Sequence, residues 1–162
     1  MKRISLTALC AFALLALGCG KETTVSTPSG KATVTQQGNV TNIEMKGDKG
    51  EKVNIAASDK GVALPGNFPA DVPVMPGAVV KMAITTGGNL SVHFSVKSSP
   101  ADAMKFYEEN LKAKGWKIDA TMNMGDATMV SAEKDKRKCV LNIAKEDGGG
   151  SVVQVMVPNE KG

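Results

Sequence analysis

The sequence has little of the chemistry that enzymes use. One histidine, His93, occurs in 162 residues, and there is no nucleotide-binding loop, zinc-protease helix, nucleophile elbow or haem-attachment motif. Cys139 with His93 is the one nucleophilic pair to consider. Successive residues of a strand point to opposite faces, so Cys139 is expected on the same face as Leu141, whereas His93 is expected on the face opposite its apolar neighbours. The two side chains should therefore lie on opposite faces. Glu108 and Glu109 lie on the solvated side of a predicted helix without a second acid nearby, which makes them poor acid–base candidates. We expect no enzymatic activity, no catalytic residue and no cofactor.

Cysteine and aromatic residues are also few. Cys10 lies in a predicted signal peptide and Cys19 at its end, so Cys139 has no partner in the domain that follows. This excludes a disulfide framework and a cysteine-pair metal site. Lys2 and Arg3 belong to the same predicted signal peptide, and without them the chain has 18 basic against 16 acidic residues. This near balance argues against nucleic-acid binding. The basic cluster KDKRK at residues 134–138 predicts a solvated hairpin turn, with an anionic-surface patch as the alternative.

The first 18 residues have the layout of a secretory signal peptide. Two basic residues precede an apolar run at residues 6–17, and small residues follow it. The run is shorter than the about 20 residues that a membrane-spanning helix needs. A cleaved signal is therefore expected.

The residues LALG directly before Cys19 resemble the lipobox of bacterial lipoproteins, with Ala16 where leucine is commonest. The resemblance implies that the chain is cut before Cys19, that this thiol carries a diacylglyceryl group, and that the new amino terminus is acylated. Several acyl chains give firm membrane attachment, at about 0.8 kcal/mol per buried methylene. Cys19 is thus the predicted lipid-attachment site, and an ordinary signal cleaved near Gly18 or Gly20 is the alternative. Gly20 in place of aspartate resembles an outer-membrane destination, so we expect a lipid-anchored protein of the bacterial cell envelope, facing the periplasm from the outer membrane if two membranes exist.

The rest of the chain divides into three segments. Residues 19–30 are the lipidated cysteine and a small, polar stretch predicted to be a flexible tether. Residues 31–60 contain three short β-prone runs separated by QGN and GDKG, which predicts a thin β meander that packs on the following domain or is partly mobile. Residues 64–158 carry stronger patterns and form the predicted main domain.

In the main domain, alternating apolar residues on both sides of GGN predict a hairpin over residues 79–97. A helix follows, because Ser99 can cap it, Pro100 suits its first turn and Gly115 is a typical stop. Four further strands are predicted near residues 116–122, 127–133, 138–144 and 151–157. The expected fold class is α+β: an antiparallel sheet with one helix packed on a face, in the order β-β-α-β-β-β-β, preceded by the meander.

A proline-rich segment, LPGNFPADVPVMPGA at residues 64–78, precedes the first predicted strand of this domain. Its prolines exclude a helix interior and a central strand, whereas the apolar residues between them imply burial. Its FPADVPVMPGA, together with FYEENLKAKGW at residues 106–116, resembles two motifs of a group of uncharacterised bacterial lipoproteins. The resemblance spans roughly residues 64–157, implies the α+β domain and carries no activity. It favours a structural lead-in packed on the sheet over a polyproline ligand offered to a partner.

Methionine is the one residue type in excess, with nine in the chain. Met122, Met124 and Met129 lie close in sequence and could hold Cu(I) with Cys139 or His93, because thioethers are soft ligands. Core packing is the preferred interpretation, since methionine fills cores and alternation directs Met122 inward. We therefore expect no metal site.

These patterns indicate a membrane-anchored, non-enzymatic envelope lipoprotein that serves as a binding or scaffold module. Its expected partners are the membrane, through the anchor at Cys19, and an envelope protein or the cell wall, through the sheet face not covered by the helix. Nucleic acid is not an expected partner. The alternative is an envelope carrier of a small ligand or of copper, with a pocket between helix and sheet lined by methionine and Trp116.

Overall fold

The protein is described by a computed structural model that covers residues 21–27, 30–47 and 50–158. These residues form one helix, α1 (Pro100–Ala113), and ten strands. The strands are β1 (Lys21–Thr27), β2 (Gly30–Gln37), β3 (Val40–Gly47), β4 (Lys52–Ala57), β5 (Val79–Thr86), β6 (Asn89–Val96), β7 (Lys117–Met124), β8 (Ala127–Lys134), β9 (Arg137–Lys145) and β10 (Ser151–Pro158).

All ten strands belong to one antiparallel sheet, in the order β1-β2-β3-β4-β5-β6-β10-β9-β8-β7. The predicted α+β class is therefore wrong: a single short helix accompanies a ten-stranded sheet, and the fold is closer to all-β. The error arises at β4, which pairs with β5 and sets Ile55 opposite Ile84, so that the meander extends the main sheet. Residues 21–27 also differ from the predicted flexible tether, because they pair with β2 as strand β1.

Helix α1 begins and ends on local signals in the sequence. The Ser99 hydroxyl accepts a hydrogen bond from the Asp102 backbone N–H at 3.2 Å, and Pro100 follows it in the first turn. At the other end, Gly115 has a φ of 83°, and the Trp116 N–H donates to the Leu111 carbonyl at 2.9 Å. This left-handed glycine closes the helix and turns the chain into β7.

The hydrophobic core lies between α1 and one face of the sheet. From the helix, Ala103, Tyr107 and Leu111 are fully buried. The helix contacts strands β7, β8, β9 and β10. The sheet residues buried on this face alternate along their strands and include Leu90, Val92, Phe94, Val130, Ala132, Cys139, Leu141, Ile143, Val153 and Val155. We call this side of the sheet the helix face.

The proline-rich segment packs on the domain, as the structural interpretation expects. Phe68 meets Phe94 edge-on, with ring centroids 6.1 Å apart, and Val72 is buried. The Trp116 indole N–H donates to the Asp71 carbonyl at 2.8 Å, and the Lys114 ammonium donates to the Ala70 carbonyl at 2.8 Å. These contacts join the FPxDVP and GW motifs directly.

Ion pairs attach the proline-rich segment to the rest of the domain at a second point. The Asp71 carboxylate accepts hydrogen bonds from the Lys134 ammonium at 2.8 Å and from the Arg137 guanidinium at 2.6 Å. The same guanidinium lies 5.1 Å from the centre of the Trp116 ring, which is a cation–π contact. The hairpin turn predicted for the KDKRK cluster is present, with positive φ at Asp135 and Lys136. Its two flanking cations are not merely solvated, however, since they hold the proline segment.

Candidate functional site

Cys19, the predicted lipid-attachment site, lies outside the described residues, as does the signal peptide. In the part of the chain that the structure covers, the one helix is too short and too polar to cross a membrane.

Cys139 and His93 lie on opposite faces of the sheet. Cys139 is fully buried on the helix face, where burial raises the pKa of its thiol to about 12. His93 pairs with Gln154 on the other face and is half-buried, and this burial lowers the pKa of its imidazole. The two side chains therefore form no nucleophile–base pair, and a thiol so disfavoured as thiolate is a poor nucleophile.

The three methionines do not meet Cys139. The register shifts at a bulge between Ile118 and Ala120, which moves Met122 to the face opposite the helix, where it lies across from Met129. Met122 and Met124 are 48% and 54% exposed, so the prediction that Met122 points into the core is wrong. Within the described ranges, no group of three or more His, Cys, Asp or Glu side chains could hold a metal ion.

The surroundings of Trp116 do not match the predicted ligand pocket between helix and sheet. Only 2% of its surface is exposed, and its ring packs against Arg137 while its N–H is bonded to Asp71. Tyr107 from the helix and Phe94 from the sheet are also fully buried. The helix–sheet interface is a packed core at this point, and any binding site is to be sought elsewhere.

The sheet side opposite the helix, here called the open face, is the main candidate. Residues paired across neighbouring antiparallel strands share a face, so the strand register identifies its members. One row crosses eight strands with largely apolar side chains and consists of Thr23, Val34, Ile43, Ile55, Ile84, Ser91, Met156 and Val140. An apolar row on this side is unexpected, because the core lies on the other.

An apolar groove of about 310 Å³ lies on the open face at one end of β5, β6 and β10. Its apolar lining includes Ile84, Val140, Met156 and Pro158, and Lys138, Asn89 and Ser91 add polar groups. A concave apolar surface with a few polar groups at its margin is the usual composition of a binding site.

A second, more polar cleft of about 430 Å³ lies farther along the same strands. His93, Lys81 and Glu146 line it, and the Ser95 hydroxyl donates to the Glu146 carboxylate at 2.6 Å. Between cleft and groove, the Gln154 amide donates to the Ser91 hydroxyl at 3.2 Å. The open face thus offers apolar and hydrogen-bonding surface side by side.

Sequence reasoning missed the groove on the open face. A signal was present in β9 and β10, where Val140, Val152 and Met156 are apolar at positions that alternate away from the core. A strand with apolar residues on both of its faces is expected to have both faces covered. Val140 and Met156 of this pattern line the groove.

Comparison with known proteins gives one finding. A family model described as START domain-like matches residues 78–150, which run from the start of β5 to the turn before β10. No curated protein and no solved structure matches the chain significantly. The matched segment is less than half of the chain and contains the helix with most of the sheet that it covers.

Proposed function

We propose that the protein is a membrane-anchored, non-enzymatic binding module of the bacterial cell envelope. Cys19 carries the lipid, and the open face binds another envelope component, a protein or the cell wall. The observation that supports this function best is the apolar groove on the open face, which lies on the side of the sheet that α1 leaves uncovered.

The position of the groove supports a scaffold role for the rest of the domain. The ion pairs of Asp71 with Lys134 and Arg137, here called the clamp at Asp71, stabilise the helix face together with the helix. The other side of the strands that line the groove therefore packs in a close-packed core. A rigid sheet presents a preformed surface, and a preformed surface loses little entropy on binding.

A small-ligand carrier is the second candidate, because the groove also has the size and lining of a ligand site. A copper site with Cys139 or His93 is not proposed, since the bulge in β7 places Met122 on the face opposite Cys139, and His93 on β6 lies three strands away from Met129 on β8. Mass spectrometry of the purified full-length protein distinguishes the two candidates. A carrier releases a defined small molecule on organic extraction, whereas a protein-binding module releases none and is isolated with a partner.

The anchor is tested by mass spectrometry of the amino-terminal peptide and by fractionation of cells. The lipoprotein proposal predicts an acylated Cys19 at the new amino terminus and a membrane-bound protein, and a Cys19→Ala variant that loses both. An unmodified Cys19 in a protein released from the membrane would reject the anchor without bearing on the groove.

A further inference from the structure

Three methionine side chains lie on the open face of the hairpin formed by β7 and β8. Met122 pairs directly with Met129, and Met124 lies two residues farther along β7, opposite Ala127. Residues at these positions share a face of the sheet. Met122 and Met124 are exposed and Met129 is half-buried. Filling the core, the usual task of methionine, therefore does not account for them.

The β-bulge in β7 is what places the three side chains together. Ile118 pairs with the buried Ala132 on the helix face, and regular alternation from Ile118 would direct Met122 and Met124 to that same face. The register shift between Ile118 and Ala120 moves both methionines to the open face, beside Met129. Bulges commonly re-aim side chains at functional sites. Here the bulge removes two apolar side chains from the core side and exposes them.

The hairpin sets the three thioether sulfurs within reach of one ion. Paired residues of antiparallel strands have Cα atoms about 4.5–5.5 Å apart, so Met122 and Met129 are direct neighbours. Met124 lies about 7 Å from Met122 along the strand and diagonally across from Met129, and long side chains bridge such a separation. Methionine carries its sulfur on an unbranched chain with three rotatable bonds. The three sulfur atoms can therefore converge above the hairpin.

The hairpin is also fixed in register and open to solvent. On its other face, the Thr128 hydroxyl donates to the Asn123 side-chain oxygen at 3.0 Å across the two strands. Strand β7 lies at an edge of the sheet, so an ion can approach from water. Edge strands are often protected by charged side chains, but residues 120–124 carry no charge. No ammonium or guanidinium in this part of β7 repels a bound cation.

We infer that Met122, Met124 and Met129 bind one Cu(I) ion. Thioethers are soft, uncharged ligands that select Cu(I), whereas magnesium, calcium and manganese prefer oxygen ligands. Cys139 and His93 take no part, since Cys139 is buried on the helix face and His93 lies on β6. The site is separate from the groove, which Lys138 and Val140 line toward the other end of β9, so its test does not depend on the proposed function.

Leucine substitutions test the site in the full-length protein, isolated in detergent with its exposed thiols blocked by maleimide. Methionine to leucine keeps size and apolarity but removes the sulfur. Cu(I) is titrated without oxygen against a chromogenic chelator, with the exposed Met45→Leu on β3 as matched control. We expect one Cu(I) per chain for the parent and for Met45→Leu, and affinity at least about tenfold lower for Met122→Leu, Met124→Leu and Met129→Leu. A parent that binds no Cu(I), or a Met122→Leu variant that binds as tightly as the parent, would overturn the proposal.

Methyl NMR of the unsubstituted protein keeps the test decisive if a leucine variant fails to fold. The methionine methyl groups are labelled with ¹³C, and Ag(I), a soft ion of the same charge, is added stepwise. The signals of Met122, Met124 and Met129 are expected to shift together and to stop shifting at one equivalent, while that of Met45 stays in place. Shifts confined to other methionines, or no shift at all, would reject the site.

Discussion

The Arg137 guanidinium donates a hydrogen bond of 2.6 Å to the carboxylate of Asp71, across 66 residues of sequence. The pair fastens the proline segment to the β8–β9 hairpin, and Trp116 lies against both partners. The two sequence motifs that resemble those of envelope lipoproteins are thus the two halves of one structural clamp. They hold the proline-rich segment against the domain.

Removal of the Asp71 charge should destabilise the protein. Asp71→Asn replaces two charge-assisted hydrogen bonds to Lys134 and Arg137 with weaker ones. Because the side chain is 24% exposed, water compensates in part, and we expect a loss of about 1–2 kcal/mol in the free energy of unfolding. Urea denaturation measures it, with the exposed turn residue Asp126→Asn as the matched control. Equal stability of the two variants would argue against a clamp.

The contribution of Asp71 should depend on pH in the acid range. Hydrogen bonds from Arg137 lower the pKa of this carboxyl from 3.8 to about 2 in the folded protein, with Lys134 contributing and partial burial opposing. A lowered folded-state pKa adds stability that is complete above the unfolded-state pKa and is lost as the pH falls. The stability difference between the parent and Asp71→Asn should therefore shrink from about pH 4 towards pH 2. A difference that stays constant across that range would contradict the assignment.

Cys139 should resist thiol reagents until the protein unfolds. The pKa of its thiol is raised from 9.0 to about 12 by burial, which alone lowers the thiolate fraction by roughly a thousandfold. Peptide mass spectrometry after maleimide treatment is expected to show slow labelling of Cys139 in buffer and rapid labelling in denaturant. Fast labelling in buffer would show that the helix opens readily over the core.

Gly150 should tolerate a side chain less well than Gly148. Both have a φ of 92°, but a Cβ at Gly150 would overlap the Val96 carbonyl oxygen, whereas the space around Gly148 is open. Gly148→Ala is expected to cost about 1–2 kcal/mol for its left-handed backbone, and Gly150→Ala clearly more. Thermal unfolding compares the two variants, and an equal loss would mean that the turn shifts to absorb the overlap.

The sequence predicts local features of this fold better than long-range ones. The cap at Ser99 and the stop at Gly115 depend on neighbouring residues, and the helix is found where they place it. The fold class depends on whether β4 joins β5, a pairing between strands separated by a long proline-containing connection, which alternation within each strand does not determine. The predicted orientation of Met122 is wrong for a related reason, because a single bulged residue reverses the alternation of side chains after Ile118.

Binding surfaces were the least predictable part. The clamp at Asp71 requires three segments to meet, and nothing in the KDKRK cluster alone distinguishes a bonded arginine from a solvated one. The open-face groove left a weak signal, since β9 and β10 carry apolar residues on both of their faces.

Partner capture from envelopes tests the central claim most directly. The full-length protein is crosslinked in intact membranes and purified after gentle solubilisation, in parallel with Cys19→Ala, with Met156→Glu in the groove and with the exposed helix variant Ala113→Glu. The account predicts a stoichiometric envelope partner for the parent and for Ala113→Glu, and its loss from Cys19→Ala and from Met156→Glu. A folded parent that captures nothing, or a partner retained equally by Met156→Glu, would contradict binding through the open face.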